Sequence, residues 1–585
     1  MSTSPAPIEA KPPTGPARYV PIIQWLPKYK GSFLSHDLIA ALTVWALVVP
    51  EAMGYAGVAG IPVQYGLYAA PLAALAYMVF GGSRHLFVGP DAAPAAVSAA
   101  VVVTVVGANA STAEYVSATA MLALLAGLIF IGFGLLRLGW IAKFFAQPVL
   151  TGFIFGLGWF IAVSQLHKVV GIEKPSGDTV NQLIQNVIHI GDWQVATLLV
   201  GVLGLLAVFA LSKFLPKLPS ALILVVAGIL AVSIFSLKSH GVEVVGSVPT
   251  GFHFAPWSSL SLRDIYELLP GAFAILLVSF SQSVALAKTL ATENSEPFDP
   301  NQELLGYGAA NLGAGVLQGY AATGSLSKTS LAEGAGARTP MNLGITGVLV
   351  AVTVLFLTGL FKNLPEAILG AIIIHAVSDS MNPSKMMQLW RANQGEFLLA
   401  ALTAGGVLVF NILPGILIGV LLSFVLLIRR LDHPRTVLMG SSPDDQYFAN
   451  LADDGTTDRE GQVESVPGVL VYGFRAPLLF TNEDFFTKDL ESRIDKADPR
   501  PSTVVLDCDA IAEVDTTGCD AVARLHDTLE GAGIRLLLAR VNAGVEDYLR
   551  RDGALKKVGD DALLPSVRDA VVAAGGKPPK PEAVN

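Results

Sequence analysis

The amino-acid sequence predicts a polytopic α-helical membrane protein that carries a small soluble α/β domain at its C-terminal end. The 585 residues are 52% hydrophobic and 15% charged, whereas a soluble protein carries about 25% charged residues. Fourteen apolar segments follow one another between residues 37 and 430. They divide into seven and seven, as two repeats of inverted topology would. The net charge of −9 falls wholly in the last part of the chain: residues 429–585 hold 28 acidic and 19 basic side chains, and residues 1–428 hold 19 of each. Acidity is thus a property of the C-terminal domain, and it argues against nucleic-acid binding, which needs a basic face.

Taken in order, residues 1–36 read as a Pro-rich tail and an interfacial segment around Trp25. They hold no short apolar core followed by a small-residue cleavage site, so no signal peptide is expected. Lys11, Arg18, Lys28 and Lys30 precede the first span and place the N-terminus in the cytoplasm. The membrane part, 37–431, holds segments at about 37–55, 64–80, 91–107, 117–136, 147–167, 194–214, 219–237, 268–290, 302–318, 325–337, 341–360, 363–380, 396–411 and 412–430. A full crossing needs about 20 apolar residues, and several of these are shorter or interrupted by Gly and Pro. An even number returns the chain to the cytoplasm, where Arg429, Arg430 and Arg435 agree with it. Gly152, Gly156 and Gly158 are read as close helix packing. Residues 238–267 read as a non-cytoplasmic loop. Residues 432–465 read as a polar linker, 466–575 as the α/β domain and 576–585 as a flexible tail. In that domain Val469–Phe474, Thr503–Leu506 and Arg535–Ala539 are predicted strands, with a helix over Thr517–Glu530; the alternation implies a parallel or mixed sheet. Cys508 and Cys519 fit neither a disulfide framework nor a metal site and are read as reduced structural thiols.

One stretch is too polar and too short to be an ordinary span: Tyr320 to Arg338, YAATGSLSKTSLAEGAGAR. Thr323-Gly324-Ser325 breaks the chain, a helix restarts over Leu326–Leu331, and Gly334 and Gly336 loosen or end it. A helix start offers unpaired N–H groups and partial positive charge, which suits an anion, and Lys328 adds a full charge. By itself the stretch reads equally well as a surface loop. A second broken stretch, Arg84 to Ala93, stands in the first half of the chain. Paired broken segments in corresponding halves point to a transporter's midplane site.

Ionisable residues inside spans are functional candidates because their burial is costly. Here they are Glu51, Asp91, Lys288, Lys328 and Glu333. Pro50 removes a backbone hydrogen bond beside Glu51, so Glu51 reads either as a carboxyl poised to exchange a proton or as half of a structural ion pair. Asp91, at a helix start, is most simply an N-terminal cap. Ser325 and Ser327 are donors to an anion or caps. No hydrolase triad, metal-ligand cluster or Walker motif stands out, so neither an enzyme, a bound cofactor nor ATP-driven transport is expected.

The stretches LTVWALVVPEAMGYAGVAGIPVQYGLYAA, GGSRHLFVGPDAA at 81–93 and DPNQELLGYGAANLGAGVLQGYAATGSLSKTSLAEGAGART at 299–339 resemble the sulfate permease (SulP) family of anion transporters. Val504–Cys508 followed by Val514-Asp515-Thr516-Thr517-Gly518 resembles a STAS domain. The resemblance spans about residues 18 to 570. It implies a fourteen-segment fold of inverted repeats divided into core and gate, an anion site between the third and tenth half-helices, elevator-type alternating access and a homodimer. By position the site would comprise Glu51, Tyr55, Asp91, Ala92, Ala93, Gln282, Ser325, Leu326, Ser327 and Lys328. Many relatives have Gln in place of Glu51 and an acid in place of Gln282, so the carboxylate stands on the other wall here. Gln282 and Leu286 replace the Asp and Thr of sodium-coupled relatives, which disfavours sodium. Lys328 replaces a more frequent Arg, keeping the charge and losing the bidentate fork. Thr516 and Thr517 stand where the similar bacterial anti-sigma-factor antagonists can be phosphorylated, which makes them possible phosphorylation sites; in fused transporters the resemblance implies dimerisation and docking more often.

The expected function is secondary transport of sulfate, bicarbonate or a dicarboxylate across the inner (plasma) membrane, with Glu51 carrying a proton. An anion channel or uncoupled exchanger on the same fold, and a STAS-mediated signalling receptor with little transport, are the rival readings. Backbone N–H groups recognise anions generically, so the sequence does not select the anion.

Overall fold

The computed structural model describes residues 19–107, 109–140, 147–175, 177–215, 219–441, 448–451 and 463–575. The tails at 1–18 and 576–585, with half of the segment read as a linker, lie outside them. Two compact units result, residues 1–423 and 424–585.

All fourteen apolar segments coincide with helices. The first unit runs α1 (Leu34–Ala59), a short helix Val63–Tyr68 leading into α2 (Pro71–Phe80), strand β1 (Val88–Pro90), α3 (Ala92–Val106), α4 (Thr112–Leu135), α5 (Gln147–Val170), α6 (Val195–Phe214) and α7 (Ser220–Phe235). Its second half runs α8 (Leu262–Glu293), α9 (Pro300–Val316), strand β2 (Ala322–Gly324), α10 (Leu326–Gly334), α11 (Met341–Val352), α12 (Glu366–Val377), α13 (Gln394–Phe410) and α14 (Ile412–Asp432), which runs on into the second unit. Among the described residues, eight helices are long and apolar enough to cross a bilayer, and three more are apolar but shorter, α3, α7 and α13.

Glycines set the packing distances. At Gly152 an added Cβ would meet the Ala400 carbonyl oxygen at 2.0 Å, so α5 and α13 touch backbone to backbone. Without a hydrophobic drive between helices in lipid, such close van der Waals contact is what holds them. Gly66, against the Ala52 carbonyl at 2.0 Å, does the same beside Pro50 in α1.

The sequence anticipates neither β1 nor β2. They pair antiparallel, Val88 opposite Gly324, Gly89 opposite Thr323 and Pro90 opposite Ala322. Non-helical backbone inside a membrane must be satisfied internally; here the two stretches pair with each other, and side chains complete β2, Asn311 accepting the Ala322 N–H and donating to the Ala322 carbonyl, both at 3.0 Å. Pro90 lacks an N–H, which a three-residue ladder tolerates at its end.

The second unit is a six-stranded sheet in the order β4-β3-β5-β6-β7-β8, with strands β3 (Thr436–Ser441), β4 (Phe448–Leu451), β5 (Val469–Phe474), β6 (Thr503–Asp507), β7 (Arg535–Ala539) and β8 (Leu563–Leu564). Strands β5 to β8 are parallel; β3 and β4 are antiparallel additions. The three predicted strands are present, and the predicted helix spans Thr516–Gly531. The linker assignment over 432–465 is corrected, because β3 and β4 fall inside it. Their short, half-buried pattern beside Asp and Gly hides them from periodicity. Both cysteines are free and buried. Burial, with Asp507 beside it, pushes the Cys508 thiol up, and burial with nearby Asp552 pushes Cys519 up to about 12.

Candidate functional site

The crossing of β1 and β2 aims two helix starts at one region. Asp91 caps α3, its Oδ1 accepting the Ala92 N–H at 2.8 Å, as the sequence predicts. Pro94 follows in the same first turn and has no N–H to give. Of that turn's donors, Ala93 is left open among the described residues. The start of α10 differs. Ser325 occupies the N-cap position but makes no side-chain cap, so among the described residues the Leu326, Ser327 and Lys328 N–H groups remain available.

Lys328 is 1% exposed and sits between these ends. Its Nζ lies 2.6 Å from Glu51 Oε2 and 3.5 Å from Asp91 Oδ2. It also donates to Ser325 Oγ at 3.3 Å and stands 5.5 Å from the Tyr55 ring centroid, within cation–π range. Glu51 reaches it from α1 just after Pro50, and both Glu51 and Tyr55 are buried. Ser325 and Ser327 share a 3.3 Å hydroxyl contact.

This geometry corrects the idea of a simply cationic cradle. One ammonium faces two carboxylates, so with all three ionised the side chains sum to one negative charge. The positive character available to an anion is therefore that of the helix starts until a carboxylate is neutralised.

The sequence-derived residues do not all converge. Glu51, Tyr55, Asp91, Ser325, Ser327 and Lys328 do, with Ala92 and Ala93 beside Asp91. Leu326 is 64% exposed and brings its backbone only. Gln282 is half-buried and hydrogen-bonds none of them among the described residues. Its neighbours on α8 make the contact instead: Ser283 Oγ accepts the Gly324 N–H at 3.1 Å and bonds Thr323 Oγ1 at 2.8 Å, and Thr323 Oγ1 donates to the Ser279 carbonyl at 3.3 Å. The Ser279–Ser283 spacing of one helical turn on an apolar helix is the signal that finds them. Lys288 is exposed, and Glu333 approaches His85 at 3.9 Å.

Asp37 is a further residue that sequence reasoning missed. Fully buried at the start of α1, it accepts the Arg338 N–H at 2.8 Å, the Thr339 N–H at 3.1 Å and the Thr339 hydroxyl at 2.6 Å. It ties the chain after α10 to the helix that carries Glu51. Thr329 likewise donates to the Ser325 carbonyl at 2.6 Å and accepts the Phe87 N–H at 2.9 Å, binding the two arms together.

In the second unit Asp515 caps the helix starting at Thr516, accepting the Gly518 N–H at 2.8 Å and the Phe480 N–H at 2.9 Å. Thr516 is exposed there and Thr517 half-buried.

Two crossed half-helices inside a helical membrane unit, followed by a separate mixed-sheet domain, define a membrane anion transporter with a STAS domain. Residues 34–403 match the sulfate permease family and residues 461–570 the STAS domain. The chain belongs to the sulfate permease family. It is 32% identical over 562 residues to a probable sulfate transporter of Mycobacterium tuberculosis, covering 95% of this chain and 98% of the relative. It is 28% identical over 573 residues to the chloroplastic sulfate transporter 4.1 of Arabidopsis thaliana, covering 94% and 82%. Among solved structures, the murine Slc26a9 anion transporter in its inward-facing state superposes with a TM-score of 0.85 at 22% identity, covering 95% and 94%; that likeness concerns the fold.

Proposed function

We propose that this protein takes up sulfate, or an oxyanion of similar size, together with protons. The observation that carries the reading is the placement of Lys328 against Glu51 and Asp91 between two helix starts. A lysine so held is not free to receive an anion. A proton on Glu51 breaks the 2.6 Å ion pair, brings the three side chains to neutrality and releases the ammonium toward the substrate. Anion entry and protonation then favour each other, which is the thermodynamic content of coupling. Sulfate is preferred because both relatives above bear that name.

The paired arms, each a short strand followed by a half-helix, support fourteen segments in inverted repeats, with the arms in a core that moves against a gate. Asp37 and Thr329 make the arms and α1 one mechanical piece, which suits an elevator. The same reading places both termini in the cytoplasm of a cell whose plasma membrane holds the protein as a homodimer. Thr516, exposed at its helix start, is the threonine of the STAS turn that a kinase reaches.

Uptake of labelled sulfate into proteoliposomes, with and without an inward proton gradient, tests coupling. The inward gradient accelerates uptake by wild type and not by Glu51→Gln. Equal pH dependence in the two proteins would falsify it. The tight Lys328–Glu51 contact also supports uncoupled exchange with a permanently paired Glu51, and that reading predicts equal, gradient-independent rates. A competition panel of sulfate, bicarbonate and dicarboxylates against the labelled anion selects the substrate.

A further inference from the structure

A second buried carboxyl stands apart from Lys328. Glu303, in the first turn of α9, is 1% exposed. The Tyr77 hydroxyl donates to its Oε2 at 2.7 Å, and no cationic side chain pairs with it among the described residues. The surroundings are shaped to it. A Cβ on Gly82 would stand 2.8 Å from Glu303 Oε1, and one on Gly81 would stand 2.5 Å from the Tyr77 ring. Gly306 in turn lies so close that its Cβ would meet Gly81 Cα at 2.7 Å. Three glycines thus make the room that one phenol and one carboxyl occupy.

Polar groups continue from there to the strand crossing. The Tyr77 and Tyr307 rings are 5.6 Å apart. Tyr307 is fully buried, and its Oη has no hydrogen-bond partner among the described residues. That oxygen stands 3.0 Å from the point where a Cβ on Gly324 would lie, and Ser283 Oγ stands 3.0 Å from the same point. Ser283 holds Gly324 and Thr323 of β2, as described above. The path runs from Glu303 through Tyr77, Tyr307 and Ser283 to the arm that carries Lys328.

A buried carboxylate without a cation is costly, and a proton relieves that cost. As a carboxylate, Glu303 accepts from Tyr77. As an acid it owns an O–H that needs an acceptor, and Tyr77 Oη is the side-chain oxygen bonded to it. The bond then reverses. The Tyr77 proton turns toward Tyr307, and the Tyr307 proton turns toward Ser283 Oγ. One proton is bound at Glu303; the others only reorient. We propose that Glu303 is a proton-binding site of the transport unit, read at β2 by reversal of the hydrogen bonds along Tyr77, Tyr307 and Ser283. It stands independently of proton carriage by Glu51.

The groups facing Glu303 are few. Tyr77 comes from α2, the backbone of Gly82 and the Ser83 N–H from the following loop, Tyr307 from its own helix and Asp299 from that helix's N-cap, Asp299 being the charged one that acts on it. Helix α4 presents Gly127, Phe130 and Ile131 to α9. Beyond the loop, Arg84 and His85 pair with Glu296 at 3.4 and 3.8 Å.

The test uses the full chain in proteoliposomes and acid-induced difference infrared spectra. Glu51→Gln, which removes the Glu51 band, is expected to show the C=O stretch of a buried carboxylic acid, Glu51→Gln/Glu303→Gln to lose it, and Glu51→Gln/Tyr77→Phe to shift it. The midpoint of sulfate uptake against pH moves by about one unit or more in Glu303→Gln and Tyr307→Phe, while KM stays within about twofold. If Glu303→Gln fails to fold, Glu303→Asp carries the same measurement through a displaced band. A band indifferent to position 303, or pH profiles that overlay wild type, overturns the proposal. The infrared arm needs no transport, so it decides the matter whether or not a proton gradient drives uptake through Glu51.

Discussion

The two broken arms look alike in outline and differ in what they leave open. Each is a three-residue strand leading into a short helix. The first, β1–α3, is closed by its own chemistry: Asp91 takes the Ala92 N–H and Pro94 withholds one, so one donor is left. The second, β2–α10, has no cap and no proline in its first turn, and it carries Lys328. A carboxylate already occupies the place that an anion would take on the first arm. On the function proposed above, the substrate belongs mainly to the second arm, with the first serving as a charged counterweight.

The largest expected effect breaks the comparison outright. Lys328→Ala leaves Glu51 buried without its cation, which costs about 3–5 kcal/mol. Sulfate uptake should fall at least ~100-fold, the order of losing a buried charge contact of about 3 kcal/mol, and the detergent-solubilised protein should melt earlier. Lys328→Arg should keep the fold and part of the uptake. A Lys328→Ala protein that transports at half the wild-type rate would sink the assignment.

Next, the strands should respond unequally to a methyl group. Gly324→Ala drives its Cβ to 3.0 Å from Leu86, Ser283 and Tyr307 at once, a crowding worth about 1–3 kcal/mol. Gly89→Ala meets the ring of Phe87 at 3.2 Å, which can turn aside. Thermal melts of the two variants compare them, and equal destabilisation would argue against the asymmetry.

Asp91→Asn separates capping from charge. The amide oxygen still accepts the Ala92 N–H while one negative charge leaves the site, so KM for sulfate should drop roughly three- to tenfold. Asp91→Ala also loses the cap, at about 0.5–2 kcal/mol. If neither variant lowers KM, the counterweight reading fails, and equal melting temperatures of Asn and Ala would remove the cap. The smallest effect is at Ser325. It makes no cap, so Ser325→Ala should change stability by less than about 0.5 kcal/mol. Its hydroxyl contact with Lys328 should cost two- to threefold in KM, the order of one modest hydrogen bond.

Much of this was legible in the sequence. Long apolar runs mark the helices, Gly324-Ser325 and Pro90-Asp91 mark the breaks, and an aspartate ahead of Ala-Ala-Pro reads as a cap. The β1–β2 pairing was not, since three residues give no alternation and a pairing across most of the unit leaves no local trace. The charge balance at Lys328 was also hidden. Glu51, Asp91 and Lys328 are each visible, but only the fold sets two carboxylates on one ammonium. Gln282 drew attention through family likeness, while the packing uses Ser279 and Ser283. Strand β4 escaped because it is a four-residue edge strand, and β3, inside the sheet, because Asp432-His433-Pro434 ahead of it and Gly440-Ser441 at its end read as linker.

The strand crossing also bears on how the protein is made. Asp91 and Lys328 are 237 residues apart in the chain, and β1 has no backbone partner until β2 has been synthesised. At about 5–20 residues per second, the first arm waits roughly 10–50 seconds beside lipid or translocation machinery with its polar groups unmet. A chain truncated before Ala322 would keep that defect permanently. Insertion machinery and membrane chaperones should therefore hold the first half of this unit longer than its hydrophobicity alone requires, and release it when Thr323 arrives.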